Sequence, residues 1–431
     1  MRSRSARRAL LVLTLAEGLR AASAHAGGFA IFEQGARGMG FGGAYVAQTD
    51  DPSAIFHNAA GIAFLKDRQL YFGATVIHPH SDFKGMGPFP GEGVTERTQA
   101  GILAPPAFDY SQKLSERMVV GFGVHVPYAL RTRWKDRETT YSGRFIAKLA
   151  EVGSFSFNPT LAYKLADRLA IGGGLDVRLS RVKLERNVPL FNPFSQRVQD
   201  VASLRIESRN QIALGFNLGV LAKPAENLAV GASYRHNVKT DFSGGADFTR
   251  IGTGSAQFDA LVTQRLPAAT LPVRTEIDFP ALITVGAQYS WGDWLLAADV
   301  NFQRWASFDA LPLTFEGRPD LSEVVREDYE NSETYRVGAE RRLNDTWTVR
   351  GGYFFDRTPA PVESVGPILP DASRQCASVG ATWRRGRLRV EAANWLVFFR
   401  ERSTEARSRD NYNGTFKSFA ELFSVSVGLS F

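Results

Sequence analysis

The stretch Leu422-Phe423-Ser424-Val425-Ser426-Val427-Gly428-Leu429-Ser430-Phe431 decides how the chain is read. Phe423, Val425, Val427, Leu429 and Phe431 fall on one side of an extended strand, and Ser424, Ser426, Gly428 and Ser430 on the other. Alternation with period two means that one face meets an apolar phase and the other a polar one. A β-sandwich meets this condition with a dry core. A transmembrane β-barrel meets it with lipid outside and a wet lumen.

The same alternation recurs upstream. In 168–180, Leu169, Ile171, Leu175, Val177 and Leu179 oppose Arg168, Asp176, Arg178 and Ser180. In 346–356, Trp347, Val349, Tyr353 and Phe355 oppose Thr348, Arg350 and Asp356, and in 294–303, Leu296, Val300 and Phe302 oppose Asp299, Asn301 and Gln303. Unpaired Asp, Arg and Asn are costly in a dry core, and a hydrated lumen accommodates them. The barrel reading follows. Trp291, Trp294, Trp305, Trp347, Trp383 and Trp395 lie near strand ends, as aromatic girdles require. No segment after residue 26 approaches the ~18 uninterrupted apolar residues of a membrane helix.

The N-terminus carries an export pattern. Arg2, Arg4, Arg7 and Arg8 precede the short apolar run 9–16, and Ala24-His25-Ala26 is a small-x-small cleavage site, so residues 1–26 are expected to be removed. The alternative, a soluble amphipathic N-terminal helix, lacks a use for the cleavage pattern. The chain is +7; residues 1–26 hold five Arg and one Glu, which leaves about +3 on the exported part. These residual charges are scattered, which excludes a basic nucleic-acid surface. Cys376 is the sole cysteine, so no disulfide framework is expected, and no metal-ligand or cofactor motif is present. A terminal Phe431 on a closing strand matches the signal by which outer-membrane barrels engage their assembly machinery.

From Gln69 on, fourteen antiparallel strands are expected, at about 69–81, 99–112, 117–130, 152–165, 168–183, 206–222, 227–240, 276–290, 293–307, 332–343, 346–356, 374–385, 387–400 and 418–431. Short turns alternate with long loops at 82–98, 131–151, 184–205, 241–275, 308–331, 357–373 and 401–417. Short periplasmic turns and long extracellular loops are the pattern of bacterial outer-membrane barrels. The fold class is therefore all-β, a transmembrane antiparallel β-barrel over residues 66–431. In the 241–275 loop, Phe242, Phe248, Phe258 and Leu261 are available to collect an apolar solute, against the equal alternative of a solvated cap.

Residues 27–65 do not read as strand. Their glycine density permits tight backbone packing, and Asp50-Asp51-Pro52 and Asn58 suggest turns. Such an apolar segment needs a surface to pack on, and the lumen that follows is the nearest one. A filled lumen argues against a general hydrophilic porin. The segment resembles the N-terminal hatch of the FadL family of outer-membrane transporters for long-chain fatty acids and other hydrophobic compounds, which includes TodX-type transporters of aromatic hydrocarbons. Gly28-Phe29, Gly43-Ala44, Asp50-Asp51 and Asn58-Ala59-Ala60 carry the resemblance, with Ala59 in place of the family's proline. Asn158-Pro159, Phe279-Pro280-Ala281, Arg350-Gly351-Gly352-Tyr353 and Asp356-Arg357-Thr358-Pro359 extend it along the chain.

The resemblance implies a lumenal hatch, a monomer, outer-membrane localisation in a Gram-negative bacterium, and sideways release through a gap near the third strand, where Pro127 lies. Phe29, Ile31 and Phe32 are the candidates to meet the ligand, against the alternative that they only pack the hatch. Arg178 and Arg350 are candidate carboxylate partners, against the alternative of an internal ion-pair ladder with Asp176 and Asp356. No nucleotide motif is present, so uptake is passive. His57, His78, His80, His125 and His236 sit in no nucleophile–base constellation, which argues against an enzyme. An adhesin barrel leaves the hatch unexplained.

Overall fold

The computed structural model describes residues 27–135 and 141–431. The expected export signal, residues 1–26, lies outside the described residues. The strands in chain order are β1 (Arg68–Gly85), β2 (Thr95–Arg97), β3 (Pro106–Lys113), β4 (Met118–Arg133), β5 (Leu149–Ala166), β6 (Leu169–Asn192), β7 (Arg197–Ser208), β8 (Gln211–Ala225), β9 (Leu228–Arg235), β10 (Val238–Arg250) and β11 (Leu271–Phe279). They continue with β12 (Leu282–Trp291), β13 (Trp294–Gln303), β14 (Ala310–Phe315), β15 (Glu323–Arg326), β16 (Ser332–Arg342), β17 (Trp347–Asp356), β18 (Arg374–Arg385), β19 (Leu388–Phe399), β20 (Arg402–Ser403) and β21 (Gly414–Ser430).

Fourteen of these form the wall, in the order β1, β3, β4, β5, β6, β8, β9, β12, β13, β16, β17, β18, β19 and β21, each antiparallel to the next. The barrel closes where β21 pairs with β1 from Gln69↔Ser430 to Gly85↔Gly414. Closure pairs the last wall strand with the first, which is what a lipid phase demands of backbone N–H and C=O groups. The two faces separate as the alternation requires. Phe423 and Val425 are exposed on the outside, and Ser424 and Ser426 are fully buried inside. Likewise Leu175 faces out, while Asp176, Arg178 and Ser180 face in.

The wall matches the expected strand count, with differences in detail. The expected second strand begins only at Pro106, because Pro105 and Pro106 have no N–H to give to a ladder. The 184–205 loop is instead a projecting hairpin: β6 runs on to Asn192 and pairs with β7. The 241–275 loop is β10, a helix over Ala256–Arg265 and β11, with β10 paired to both β7 and β11. Above the membrane these strands pack on one another, so they carry no lipid-facing alternation to read. Finally, Trp291, Trp294 and Trp347 are exposed near the short turns, as girdle residues are, but Trp305 and Trp395 are buried inside.

Residues 27–65 fill the lumen. They form short helices over Ala36–Gly40 and Ala54–His57 and a 3₁₀ turn over Ala59–Phe64. Asn58 caps that turn by accepting from the Ala60 N–H at 3.1 Å, and its side-chain amide donates to the carbonyls of Val46 (2.8 Å) and Val220 (3.0 Å). Ala59 takes the first helical position, which suits alanine as well as the family's proline. The wall makes room with glycines. Gly172, Gly219, Gly231, Gly338 and Gly352 face the hatch, and a Cβ on any of them would fall within 3.0 Å of its backbone or of Asn58.

Candidate functional site

The hatch starts with a single antiparallel bridge to the wall, from Ala30 to Tyr128. β4 bulges between His125 and Tyr128, around Pro127. The freed Pro127 carbonyl accepts from the Ile31 N–H at 2.9 Å, and the Ala129 N–H donates to the Phe29 carbonyl at 3.2 Å. Gln34 adds a side-chain bond to the Val126 carbonyl at 2.9 Å. The three expected ligand-contact residues then diverge. The Phe29 ring sits among Tyr128, Phe279, Trp305 and Phe308, with centroids 4.9–6.1 Å away. Ile31 joins Met39, Ile77, Phe354 and Trp395. Phe32 lies on the Arg336 guanidinium at 4.4 Å.

Phe29 forms the floor of an apolar cavity of about 100 Å³ under the extracellular loops. Leu130, Val152, Val182, Phe308, Leu311 and Tyr329 line it, with Glu327 as a polar wall residue. Burial pushes the Glu327 carboxyl up to about 8. A second cavity of about 150 Å³ shares Phe29, Leu130 and Leu369 with the first and is also lined by Ile31. Burial likewise raises Asp371, on its rim, to about 7, against a hydrogen bond from Thr358.

The second cavity meets a defect in the wall. β3 pairs with β4 only from Phe108↔Val124 to Lys113↔Val119, so among the described residues β4 beyond the bulge has no regular neighbour on that side. Residues 98–105 cross the gap, held by single bridges from Thr98 to Trp134 and from Leu103 to Ile77. A cavity of about 390 Å³ fills the defect, and it shares Pro79, His80, Leu103, Arg131, Thr132 and Pro370 with the lumenal one.

The expected carboxylate partners are both engaged. Arg178 Nη2 pairs with Asp176 at 2.5 Å, and Arg235 shares that carboxylate at 3.1 Å. Arg350 pairs with Glu340 at 2.7 Å rather than with Asp356, which is held by Arg374 at 2.7 Å. Neither Arg178 nor Arg350 lines the three cavities above. Sequence reasoning missed Phe308, Tyr329 and Glu327, which sit in a loop with no periodicity, and it placed Trp305 in a girdle.

The sequence model described as outer membrane protein transport protein (OMPP1/FadL/TodX) matches residues 18–431. The chain belongs to this family. It is 23% identical over 394 residues to the long-chain fatty acid transport protein of Salmonella typhi, covering 86% of this chain and 87% of that one. The same identity holds over 398 residues with the Escherichia coli K12 protein of that name, again at 86% and 87% coverage. Among solved structures, a Pseudomonas aeruginosa FadL homologue superposes with a TM-score of 0.82 at 21% identity, covering 94% of this chain and 100% of that one. The P. putida toluene transporter TodX gives 0.67 at 16%, covering 93% and 99%. Family members are outer-membrane transporters of hydrophobic compounds and not enzymes.

In this FadL-type barrel the lower hatch is bolted to the wall by charge. Arg37 bonds Asp50 at 2.6 Å and the wall residue Glu340 at 3.1 Å, and Asp51 lies 3.7 Å from Arg389. Asp299 accepts from the Tyr45 and Val46 N–H groups at 2.6 and 2.9 Å. Removing one partner of a buried ion pair costs ~3–5 kcal/mol. Arg37→Met is therefore expected to loosen the hatch and raise single-channel ion conductance in planar bilayers several-fold. Conductance equal to wild type would show that the packing alone holds the hatch.

Proposed function

We propose that this protein takes up hydrophobic molecules passively, long-chain fatty acids foremost, by capture at the extracellular loops, transfer to the lumen and hatch-gated sideways release into the membrane. The observation that carries the reading is the series of three cavities linked by shared lining residues, from the loops, past Phe29, to the defect beside β4. An apolar solute gains about 0.8 kcal/mol per CH₂ on leaving water, which suffices to drive capture without an energy source. Phe191, Phe194 and Val198 are exposed at the β6–β7 tip and offer a collecting surface. Of the four loop residues expected in that role, Phe242 and Phe258 are buried and Phe248 is partly buried, while Leu261 is exposed. The ion pairs under the hatch favour release through the wall over release downward through a displaced plug.

Aromatic hydrocarbons are the second reading, since structural neighbours include a toluene transporter and the cavity lining is largely aromatic and aliphatic. Labelled oleate and labelled toluene, given to cells that lack their own transporters of this type, separate the two. Uptake of either that disappears without residues 27–65 supports hatch-gated transport and selects the substrate. Failure to take up both, with stable ion conductance from the intact protein, would instead favour a general porin.

A further inference from the structure

Among the described residues, the apolar cavity contains one buried carboxyl group without an ion-pair partner. Glu327 follows β15, lines the cavity and is 6% exposed. Its backbone is fixed: the N–H donates to the Asp309 carbonyl at 2.7 Å, and its carbonyl accepts from the Ser364 hydroxyl. Among the described residues its carboxyl has no hydrogen-bond or ion-pair partner.

The charged groups around it are committed elsewhere. On β6, Lys183 is held by Glu185 at 2.8 Å. On β5, Glu151 faces Arg181 at 3.3 Å and Arg131 at 3.9 Å. On the loop of Glu327 itself, Asp328 is paired to Arg409 at 2.6 Å, and Asp410 beside Arg409 adds further negative charge. Tyr329 faces the cavity as a neutral phenol, and the floor is the ring of Phe29. A carboxylate here thus meets low dielectric and the like charge of Asp410 and Asp328, which outweigh the opposing Arg409 guanidinium, and the carboxyl is pushed up to about 8.

We propose that Glu327 is the ligand-selecting residue of this cavity: as a neutral acid it donates a hydrogen bond to the carboxylate of a bound lipophilic acid, so that two carboxyl groups share one proton. The proposal rests on the uptake reading above and names the headgroup contact that reading leaves open. O–H···O⁻ bonds between such groups are short and strong. The protonated form is the binding form, so affinity for a lipophilic acid is full below the Glu327 titration and is lost as pH rises through it. With a midpoint near pH 8, the loss reaches about thirtyfold between pH 7 and pH 9.5. An aliphatic alcohol bonds to either form, so its affinity stays flat.

The test measures decanoate and decanol binding to the full-length protein in lipid nanodiscs from pH 6.5 to 9.5, against empty nanodiscs, using tryptophan fluorescence, since Trp305 packs on Phe29. The expected result is a decanoate affinity that falls about thirtyfold with pH and a decanol affinity that moves less than twofold. Glu327→Gln, which keeps an N–H donor, should bind decanoate within a few-fold of wild type at pH 7 and lose the pH dependence. A flat decanoate profile in wild type, or an unchanged slope in Glu327→Gln, overturns the proposal while decanol binding leaves the uptake reading standing. Absence of binding for both ligands in wild type overturns both.

Discussion

Phe29→Asp is expected to abolish uptake while the barrel still assembles. Phe29 is 6% exposed and touches four aromatic rings, and it is the floor of the loop cavity and part of the one below. Truncating such a ring costs ~3–5 kcal/mol, and leaving an unpaired carboxylate in its place costs more. The cost falls on two backbone bonds to the β4 bulge and on the path itself, where a charge now faces an apolar solute. The wall strands make their ladders without Phe29, so heat-modifiable mobility on gels should match wild type. Uptake at the wild-type rate would show that the ring only packs the hatch.

The second large effect is expected at the wall. Gly101 lines the defect beside β4, and among the described residues a Cβ built on it meets nothing within 4 Å. Gly101→Trp should place an indole in that space without strain. If solute leaves sideways, uptake falls at least about tenfold, while ligand binding in the loop cavity, where Gly101 is not a lining residue, is unchanged. Unchanged uptake with the indole in place would send the solute through the hatch instead, and the Arg37→Met variant would then be expected to speed it.

Much of the wall was legible because lipid and water impose opposite demands on alternate residues. Ser424 and Ser426 inside, with Phe423 and Val425 outside, are that demand written along one strand. Where the demand ends, so did legibility. The upper parts of β6, β7, β10 and β11 stand clear of lipid and read as loops. The hatch was legible as a packed segment, but its partners were not. Phe29, Ile31 and Phe32 look equivalent in sequence and yet meet an aromatic cluster, a mixed apolar cluster and a guanidinium. Arg178 gave its own clue, since Asp176 on the same strand face sits two residues away. Glu327 gave none: among Glu323, Arg326, Asp328 and Glu330 it looks like one more solvated charge.

The glycines opposite the hatch tie two parts of the chain into a shared inheritance. Gly172 pairs across the ladder with Gly219, and Gly338 with Gly352, so the vacancies come in adjoining couples shaped to the plug's backbone. A methyl group gained on such a couple has nowhere to go unless the plug recedes, and a thicker plug has nowhere to go unless the wall thins further. Residues 27–65 and the strands around them are therefore not free to drift apart. A plug transplanted from a distant relative should fit badly even where its own sequence is sound, and variants that repair it should arise on the wall at these couples.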